Sequence, residues 1–193
     1  MSKINIIGAG LAGCEAALYL AKKGYTIHLY EMKPKKKSPA HHSDDFAEIV
    51  CSNSLKSDDE NTASGVFKRE LTLLGSSLLE IAYSCRVPAG QALAVDRDEF
   101  SKKVTHAIKT NKNIIIHEEE VCQFEPDAYT ILATGPLTSP KMCSALKKII
   151  GEDFFYFYDA ASPIILADSI DMDKAFFGAR YDKGDADYIN CPM

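Results

Sequence analysis

The feature that most constrains this 193-residue chain is a glycine-rich turn near its start. The turn reads Gly8-Ala9-Gly10-Leu11-Ala12-Gly13, follows an apolar run and opens a stretch of small residues at helical spacing. Glycines at these positions permit a tight strand-to-helix turn, close approach of the backbone to a diphosphate, and close packing of the helix on the strand. A second strand over residues 25–30 then ends at Glu31. The sequence therefore predicts a βαβ unit.

This βαβ unit predicts a binding site for an adenine dinucleotide. A helix N-terminus presents unpaired N–H groups and a partial positive charge of roughly half a unit, both of which stabilise phosphates. Glu31 ends the second strand at the distance, about 20 residues after the glycines, where a carboxylate accepts hydrogen bonds from ribose hydroxyls. A carboxylate disfavours a 2′-phosphate, so we expect NAD or FAD rather than NADP in this site.

Helix-sized segments alternate with short apolar runs along the rest of the chain, which predicts a mostly parallel, doubly wound sheet. Later strands are expected over residues 91–95, 114–116 and 129–133. Helices are expected over 66–81, weakened by Gly75, after a cap at Asp98, and over 138–150 with Gly151 as its cap. The predicted fold class is α/β. A Rossmann-like domain is expected over 1–151, and the start of a second, incomplete α+β domain over 152–193, with strands at 154–158 and 164–166.

Composition limits the partners and the compartment. The net charge of −5 gives no general attraction to polyanions, so any RNA contact must come from a local basic surface. The first apolar stretch is too short for a signal peptide or a membrane-spanning helix of about 20 residues, and we expect a cytoplasmic protein with no membrane association. The cysteines lack paired spacing, which argues against a disulfide framework and against a metal site. They are Cys14, Cys51, Cys85, Cys122, Cys143 and Cys191.

Residues 32–62 look irregular and carry two features of chemical interest. The first is a basic, proline-broken stretch from Lys33 to Lys37, which fits either a solvated loop or a contact with an RNA backbone. The second is Cys51, which precedes Ser52-Asn53-Ser54 in a polar, turn-forming context. That context suits a reactive thiolate, and a structural free cysteine remains the alternative. His41 and His42 lie between these features without metal-ligand spacing.

A short motif, Ala133-Thr134-Gly135, ends the strand expected over residues 129–133. A glycine at this place lets the chain pass close to a dinucleotide at the carboxyl edge of a sheet. A simple strand-ending turn explains the same residues. Thr134 and Gly135 are therefore candidate neighbours of the cofactor.

Longer runs distributed over the whole chain resemble one family. They are IIGAGLAGCEAALYLAKKG, LYEMKP, PAHH, VCSNSL, RVPAGQALAVDRDEF, ILATGPLTSP, FYFYDAASPI, DSIDMDK, RYDKG and YINCPM. The chain resembles the folate-dependent, FAD-containing tRNA (uracil-5-)-methyltransferases. The resemblance implies that NADPH or NADH reduces FAD, that 5,10-methylenetetrahydrofolate supplies a one-carbon unit, and that carbon 5 of a T-loop uridine in tRNA is methylated.

The resemblance also implies roles for individual residues. Cys51 matches the reactive cysteine of the family, with its role as nucleophile or base left open. The six residues of the glycine turn and Glu31 match FAD-binding positions, with Thr134 and Gly135 close by. Arg97 and His42 lie inside matched runs and receive no role.

Family members are longer than this chain, so we expect weak or absent FAD binding and no methyl transfer by the chain alone. Three alternatives remain. They are a general FAD- or NAD-dependent oxidoreductase, an rRNA methyltransferase of the same family, and a non-catalytic RNA-associated fragment.

Overall fold

The computed structural model describes residues 3–151, 167–179 and 188–190. A short 3₁₀ turn, Ala167–Ser169, precedes the last two strands. The helices and strands, in chain order, are β1 (Ile4–Ile7), α1 (Leu11–Lys22), β2 (Ile27–Glu31), β3 (Ser54–Ser57), α2 (Ala63–Leu73), α3 (Ser77–Ser84), β4 (Arg86–Val87), β5 (Ala92–Val95), α4 (Arg97–Lys109), β6 (Ile114–Glu118), β7 (Tyr129–Leu132), α5 (Pro140–Ile150), β8 (Phe176–Gly178) and β9 (Tyr188–Asn190).

Four strands form a parallel sheet in the order β6-β2-β1-β7. The register aligns Ile7 with Tyr30 on one side and with Leu132 on the other. The strands therefore end at a common edge, where the glycine turn, Glu31 and residues 133–135 follow. The chain first adds a strand on one side of β1 and later adds β7 on the other side. Such a reversal creates a crevice at the carboxyl ends of the strands, which is where α/β sheets bind ligands.

Helices cover both faces of this sheet, as the doubly wound fold predicted. Alternate residues of β1 and β2, among them Ile6 and Leu29, are fully buried in the larger core together with Phe100 of α4. The opposite faces of the same strands, with Ile7 and Tyr30, pack against α5 in a smaller cluster. Helices thus cover both faces of the strands, which is typical of a parallel sheet.

The strand expected over residues 91–95 forms as β5, but its sheet differs from the expectation. β5 belongs to a separate antiparallel sheet in the order β3-β5-β4, not to the parallel sheet. Only residues 88–91 join β4 to β5, with Gly90 at φ +54°, and so short a loop makes an antiparallel hairpin. β3 lies in the stretch that was expected to be irregular.

Two helix boundaries also differ from expectation. The segment 66–81 forms two helices, because Gly75 adopts φ +79° and Ser76 starts α3 by accepting a hydrogen bond from the Leu79 N–H. α4 is capped by Asp96 rather than Asp98, since the Asp96 side chain accepts from the N–H groups of residues 98 and 99. The end of α5 agrees with the prediction, with Gly151 at φ +98°.

β8 and β9 pair antiparallel, with Phe177 opposite Ile189. The strands expected over 154–158 and 164–166 lie outside the described residues. Within the ranges that the structure describes, every helix is too short or too polar to cross a membrane.

Candidate functional site

A cleft of about 520 Å³ lies at the carboxyl edge of the parallel sheet. Its walls come from four parts of the chain, residues 7–12, 30–33, 119–121 and 132–139, with Met142 of α5 and three residues of the 41–50 stretch completing them. The strand register thus brings the glycine turn, Glu31 and the Ala133-Thr134-Gly135 motif to one place.

The three glycines of the turn have different surroundings. Gly8 adopts φ +99°, and a Cβ there would lie 2.6 Å from the Ala133 carbonyl oxygen. A Cβ on Gly13 would lie 1.8 Å from the Gly8 oxygen, so α1 is seated directly on the turn. Gly10 adopts an ordinary φ of −76° and has no atom within 4 Å of a Cβ position. Gly8 and Gly13 are therefore required by the fold, whereas the missing side chain of Gly10 leaves space in the cleft.

The first turn of α1 offers hydrogen-bond donors to that space. Gly10 supplies no side-chain cap, and no acidic residue lies in the first turn. Within the described ranges, the N–H groups of Gly10, Leu11 and Ala12 have no protein acceptor. These amides, together with the positive end of the helix dipole, form a site suited to an anion. The Ala9 N–H is already used, since it donates to Glu31 Oε2 at 2.8 Å.

Glu31 is 8% exposed and forms part of the cleft wall. Its Oε1 accepts the Lys33 N–H at 3.0 Å, and its Oε2 accepts the Ala9 N–H. A carboxylate oxygen accepts more than one hydrogen bond, so capacity remains for a ligand hydroxyl. The neighbouring Lys33 ammonium donates to the Asp45 carbonyl oxygen and lies 3.6 Å from Glu48 Oε2. Because that cation is engaged by the protein, it does not prepare this end of the cleft for a 2′-phosphate.

The chain after β7 closes the other side of the cleft. Gly135 adopts φ +67°, and the Thr138 hydroxyl donates to the Gly135 carbonyl oxygen at 2.7 Å. The Thr134 and Thr138 hydroxyl oxygens are 2.6 Å apart. Since the single Thr138 hydrogen is committed to Gly135, Thr134 must donate to Thr138. The Thr134 hydroxyl is then left as an acceptor toward any ligand.

At the rim of the cleft, Glu120 contacts both the basic loop and α5. Glu120 pairs with Lys36 at 2.7 Å and lies 3.9 Å from the Lys141 ammonium. The hydrogen bond from Lys36 lowers the pKa of Glu120. Lys37 pairs with Asp44 at 2.7 Å. Lys33, Lys36 and Lys37 thus contact protein groups, which gives the basic stretch a structural role and leaves RNA contact there a prediction.

Cys51 lines a second hollow, of about 640 Å³, together with Ser52, Asn53, Arg97 and other residues. Cys51 is exposed, in contrast to Cys14 and Cys85, which are buried. Burial, reinforced by the charge of Glu31, raises the pKa of the Cys14 thiol to about 12. Exposure therefore favours the reactive interpretation for Cys51, whereas Cys14 is a structural thiol.

One stretch of chain separates the cleft from this hollow. We call residues 41–53 the wall segment: His41, Glu48 and Val50 line the cleft, and residues 51–53 line the hollow. The sequence pattern alone did not place Glu48 and His41 in the cleft. The available signal was the PAHH and VCSNSL runs, which overlap the two ends of the wall segment.

The adjacent histidines, His41 and His42, have different surroundings. His41 hydrogen-bonds Ser38 Oγ through its Nδ1 at 2.5 Å, and burial lowers its pKa. His42 is exposed and does not line the cleft. Among the described residues, no group of three or more His, Cys, Asp or Glu side chains is arranged to hold a metal ion.

A parallel sheet with a reversal at β1, a glycine turn with free amides, and a carboxylate on the next strand define an α/β domain of the dinucleotide-binding class. Comparison with known proteins narrows that class. The family described as "Glucose inhibited division protein A" matches residues 3–193, and the chain belongs to this family.

Curated relatives share one name. A Fusobacterium nucleatum protein is 58% identical over 191 residues, 99% of this chain and 44% of the relative. A Bacillus mycoides protein is 54% identical over 190 residues, 98% of this chain and 44% of the relative. Both are named methylenetetrahydrofolate--tRNA-(uracil-5-)-methyltransferase TrmFO. The chain therefore spans less than half the length of these relatives.

A solved structure supports the fold alone. Aquifex aeolicus GidA is 19% identical to this chain with a TM-score of 0.50, over 63% of this chain and 20% of that one. The likeness confirms the α/β architecture and carries no argument about chemistry.

Proposed function

We propose that the chain is the flavin-binding part of a folate-dependent enzyme that methylates carbon 5 of a T-loop uridine in tRNA. The observation that carries the proposal is the pairing of two sites across one wall segment. On one side lie the cleft and the free amides of the glycine turn, and on the other lies the exposed Cys51. The names of the relatives supply the reaction and its RNA substrate.

FAD is the proposed cofactor, and its adenosine and diphosphate are the parts that this cleft would bind. The free amides of Gly10, Leu11 and Ala12 would hold the diphosphate, and the remaining capacity of Glu31 would accept from the ribose. Thr134 and Gly135 would lie beside the cofactor. When bound, FAD supplies the redox chemistry, with NADPH or NADH as reductant and 5,10-methylenetetrahydrofolate as one-carbon donor.

Cys51 would activate the uracil. Carbon 5 becomes nucleophilic when a thiolate adds to carbon 6 and the displaced electron pair moves toward the carbonyl oxygen at carbon 4. A thiolate that instead removes a proton is the second role, and the two remain alternatives. An exposed thiol suits either role because the uracil must reach it from solvent.

The proposal also covers the domain limits, the compartment and the substrate. The flavin-binding domain extends over 1–151, and residues 152–193 begin a substrate domain. The enzyme acts in the cytoplasm, uses no metal and requires no membrane. tRNA is the proposed substrate, with rRNA as the alternative within the same family.

The test is methyl transfer by the chain, alone and extended to the length of its relatives, with methylenetetrahydrofolate, NADPH, FAD and unmodified tRNA or rRNA. Mass spectrometry of RNA digests measures 5-methyluridine. We expect transfer to tRNA by the extended protein, none by the chain alone, and none after Cys51→Ala. Cys122→Ala, at a partly buried thiol outside the cleft, is the matched control and should retain transfer.

Other results would favour the alternatives. Oxidation of NADH with a dye and no dependence on folate would indicate a general oxidoreductase. RNA binding that survives Cys51→Ala without flavin absorbance would indicate an RNA-associated fragment. Methylation of rRNA but not tRNA would redirect the proposal to the other substrate.

A further inference from the structure

The wall segment is fastened to the rest of the domain at its middle. The Ala47 N–H donates to the Ala9 carbonyl oxygen at 2.8 Å, which joins the segment to the glycine turn. The Phe46 N–H donates to Thr105 Oγ1 of α4 at 2.8 Å. Cys51 follows these two bonds by only a few residues, so its place depends on them.

Lys33 makes a further connection, and its burial is unusual for a lysine. Its side chain is 4% exposed, and its ammonium donates to the Asp45 carbonyl oxygen and lies 3.6 Å from Glu48 Oε2. Its backbone N–H donates to Glu31 Oε1 at 3.0 Å. An ammonium is costly to bury unless it is paired. One residue thus joins the carboxylate on the cleft wall to the wall segment.

Glu48 completes this connection from the opposite side. Its side chain is 15% exposed, and its Oε1 accepts the N–H groups of His42 at 2.9 Å and Ser43 at 3.2 Å. Its Oε2 is buried, and the nearest cation is Lys33. Burial opposes ionisation of Glu48, but the two N–H groups and Lys33 outweigh it, so its pKa lies below the ordinary value. Glu48 is therefore ionised at neutral pH.

We propose that Lys33 is a positioning residue, which holds the wall segment through Glu48 and Asp45 and so sets the place of Cys51 relative to the dinucleotide cleft. The contacts of Lys33 with Glu48 and Asp45 are features of the structure and do not depend on the proposed function. The consequence for catalysis rests on the proposed function, in which Cys51 is the reactive thiol.

The test compares Lys33→Met with Lys37→Met in the 193-residue chain without ligand. Lys37 is a stringent control because it makes similar contacts with the same segment, to the His42 oxygen at 2.8 Å and to Asp44 at 2.7 Å, but it is 36% exposed. Hydrogen exchange measured by mass spectrometry reports opening of peptides covering 41–53.

We expect Lys33→Met to raise exchange over 41–53 by about tenfold or more, with less than about twofold change in α4, since local opening is a separate equilibrium from global unfolding. The peptide that contains Cys51 should show the same rise, and Lys37→Met should change exchange over 41–53 by no more than about twofold. Adding Glu48→Gln to Lys33→Met should reduce the effect, because it removes a buried, unpaired carboxylate.

Three results would overturn the proposal. They are wild-type exchange over 41–53 in Lys33→Met, an equal rise in α1 and α4, and an equal response to Lys37→Met. If circular dichroism shows that Lys33→Met does not fold, the single variant Glu48→Gln tests the proposal instead. Its side-chain oxygen can still accept the N–H groups of His42 and Ser43, but the charge opposite Lys33 is lost, so exchange over 41–53 should rise. Wild-type exchange in this variant would refute the proposal. A separate titration of the protein extended to the length of its relatives with FAD distinguishes the claims, because absence of flavin binding there counts against the cofactor and not against Lys33.

Discussion

Replacing Gly10 with alanine should separate folding from dinucleotide binding. A Cβ at this position meets no atom within 4 Å, and φ −76° is ordinary for alanine. The substitution reduces the freedom of the unfolded chain, but Gly10 is the N-cap of α1 and alanine is a poorer N-cap than glycine, so we expect a stability change of no more than about 1 kcal/mol in either direction. For a chain of this size that corresponds to a change in Tm of at most about 4 °C.

The same methyl group would occupy the space in front of the free amides of residues 10–12. A diphosphate then loses its close approach to the backbone, and we expect the affinity for FAD to fall at least about 100-fold, or about 2.7 kcal/mol. Equilibrium dialysis with FAD up to millimolar concentration measures the affinity even where the chain alone binds weakly. Thermal unfolding followed by circular dichroism measures the stability.

Gly13→Ala is the matched control. Its Cβ would lie 1.8 Å from the Gly8 oxygen, a backbone atom, so α1 and the turn must move apart. We expect a loss of about 1–3 kcal/mol or more, as for overpacked cores. Gly10→Ala with wild-type FAD affinity would refute the reasoning, and so would a stability loss in Gly10→Ala equal to that in Gly13→Ala.

The remaining predictions concern thiols, pH and a helix cap. Iodoacetamide at about pH 8 should label Cys51 well before Cys14, whose burial raises its pKa to about 12, and peptide mass spectrometry that finds Cys14 labelled first would contradict this. Burial, with the charges of Lys3 and His117, lowers the pKa of His28 from 6.5 in the folded chain, while Glu125 opposes the shift. The unfolded chain binds the proton first, so stability should be full above 6.5 and fall as the pH drops below it, and urea unfolding should show a smaller fall in His28→Gln. Asp96→Ala should cost about 1 kcal/mol in urea unfolding and Asp98→Ala much less, because Asp96 caps α4; the reverse order would restore the sequence-based assignment.

The βαβ unit was predictable because its signals are local. A strand, three glycines at fixed spacing, a helix and an acidic residue fall within the first 31 residues, and each has one physical explanation. The cleft followed from that unit, since strands of a parallel sheet end at one edge. The register with β7 then placed Thr134 and Gly135 beside the glycine turn.

Other parts depend on distant partners that a pattern does not display. A short apolar run such as 92–95 reads alike in a parallel and an antiparallel sheet, so β5 was placed in the wrong one. Lys33 lies in a basic stretch and looks solvated, yet the fold buries it against Glu48. Asp96 and Asp98 compete for one cap, and only the backbone geometry decides between them.

The central claim is that a dinucleotide lies with its diphosphate over the first turn of α1. Titration of the ¹⁵N-labelled chain with FAD, followed by amide chemical shifts, tests this directly. The account predicts that the largest changes occur at Gly10, Leu11 and Ala12 and that β8 and β9 do not respond. Saturable binding that leaves those three amides unchanged would contradict it.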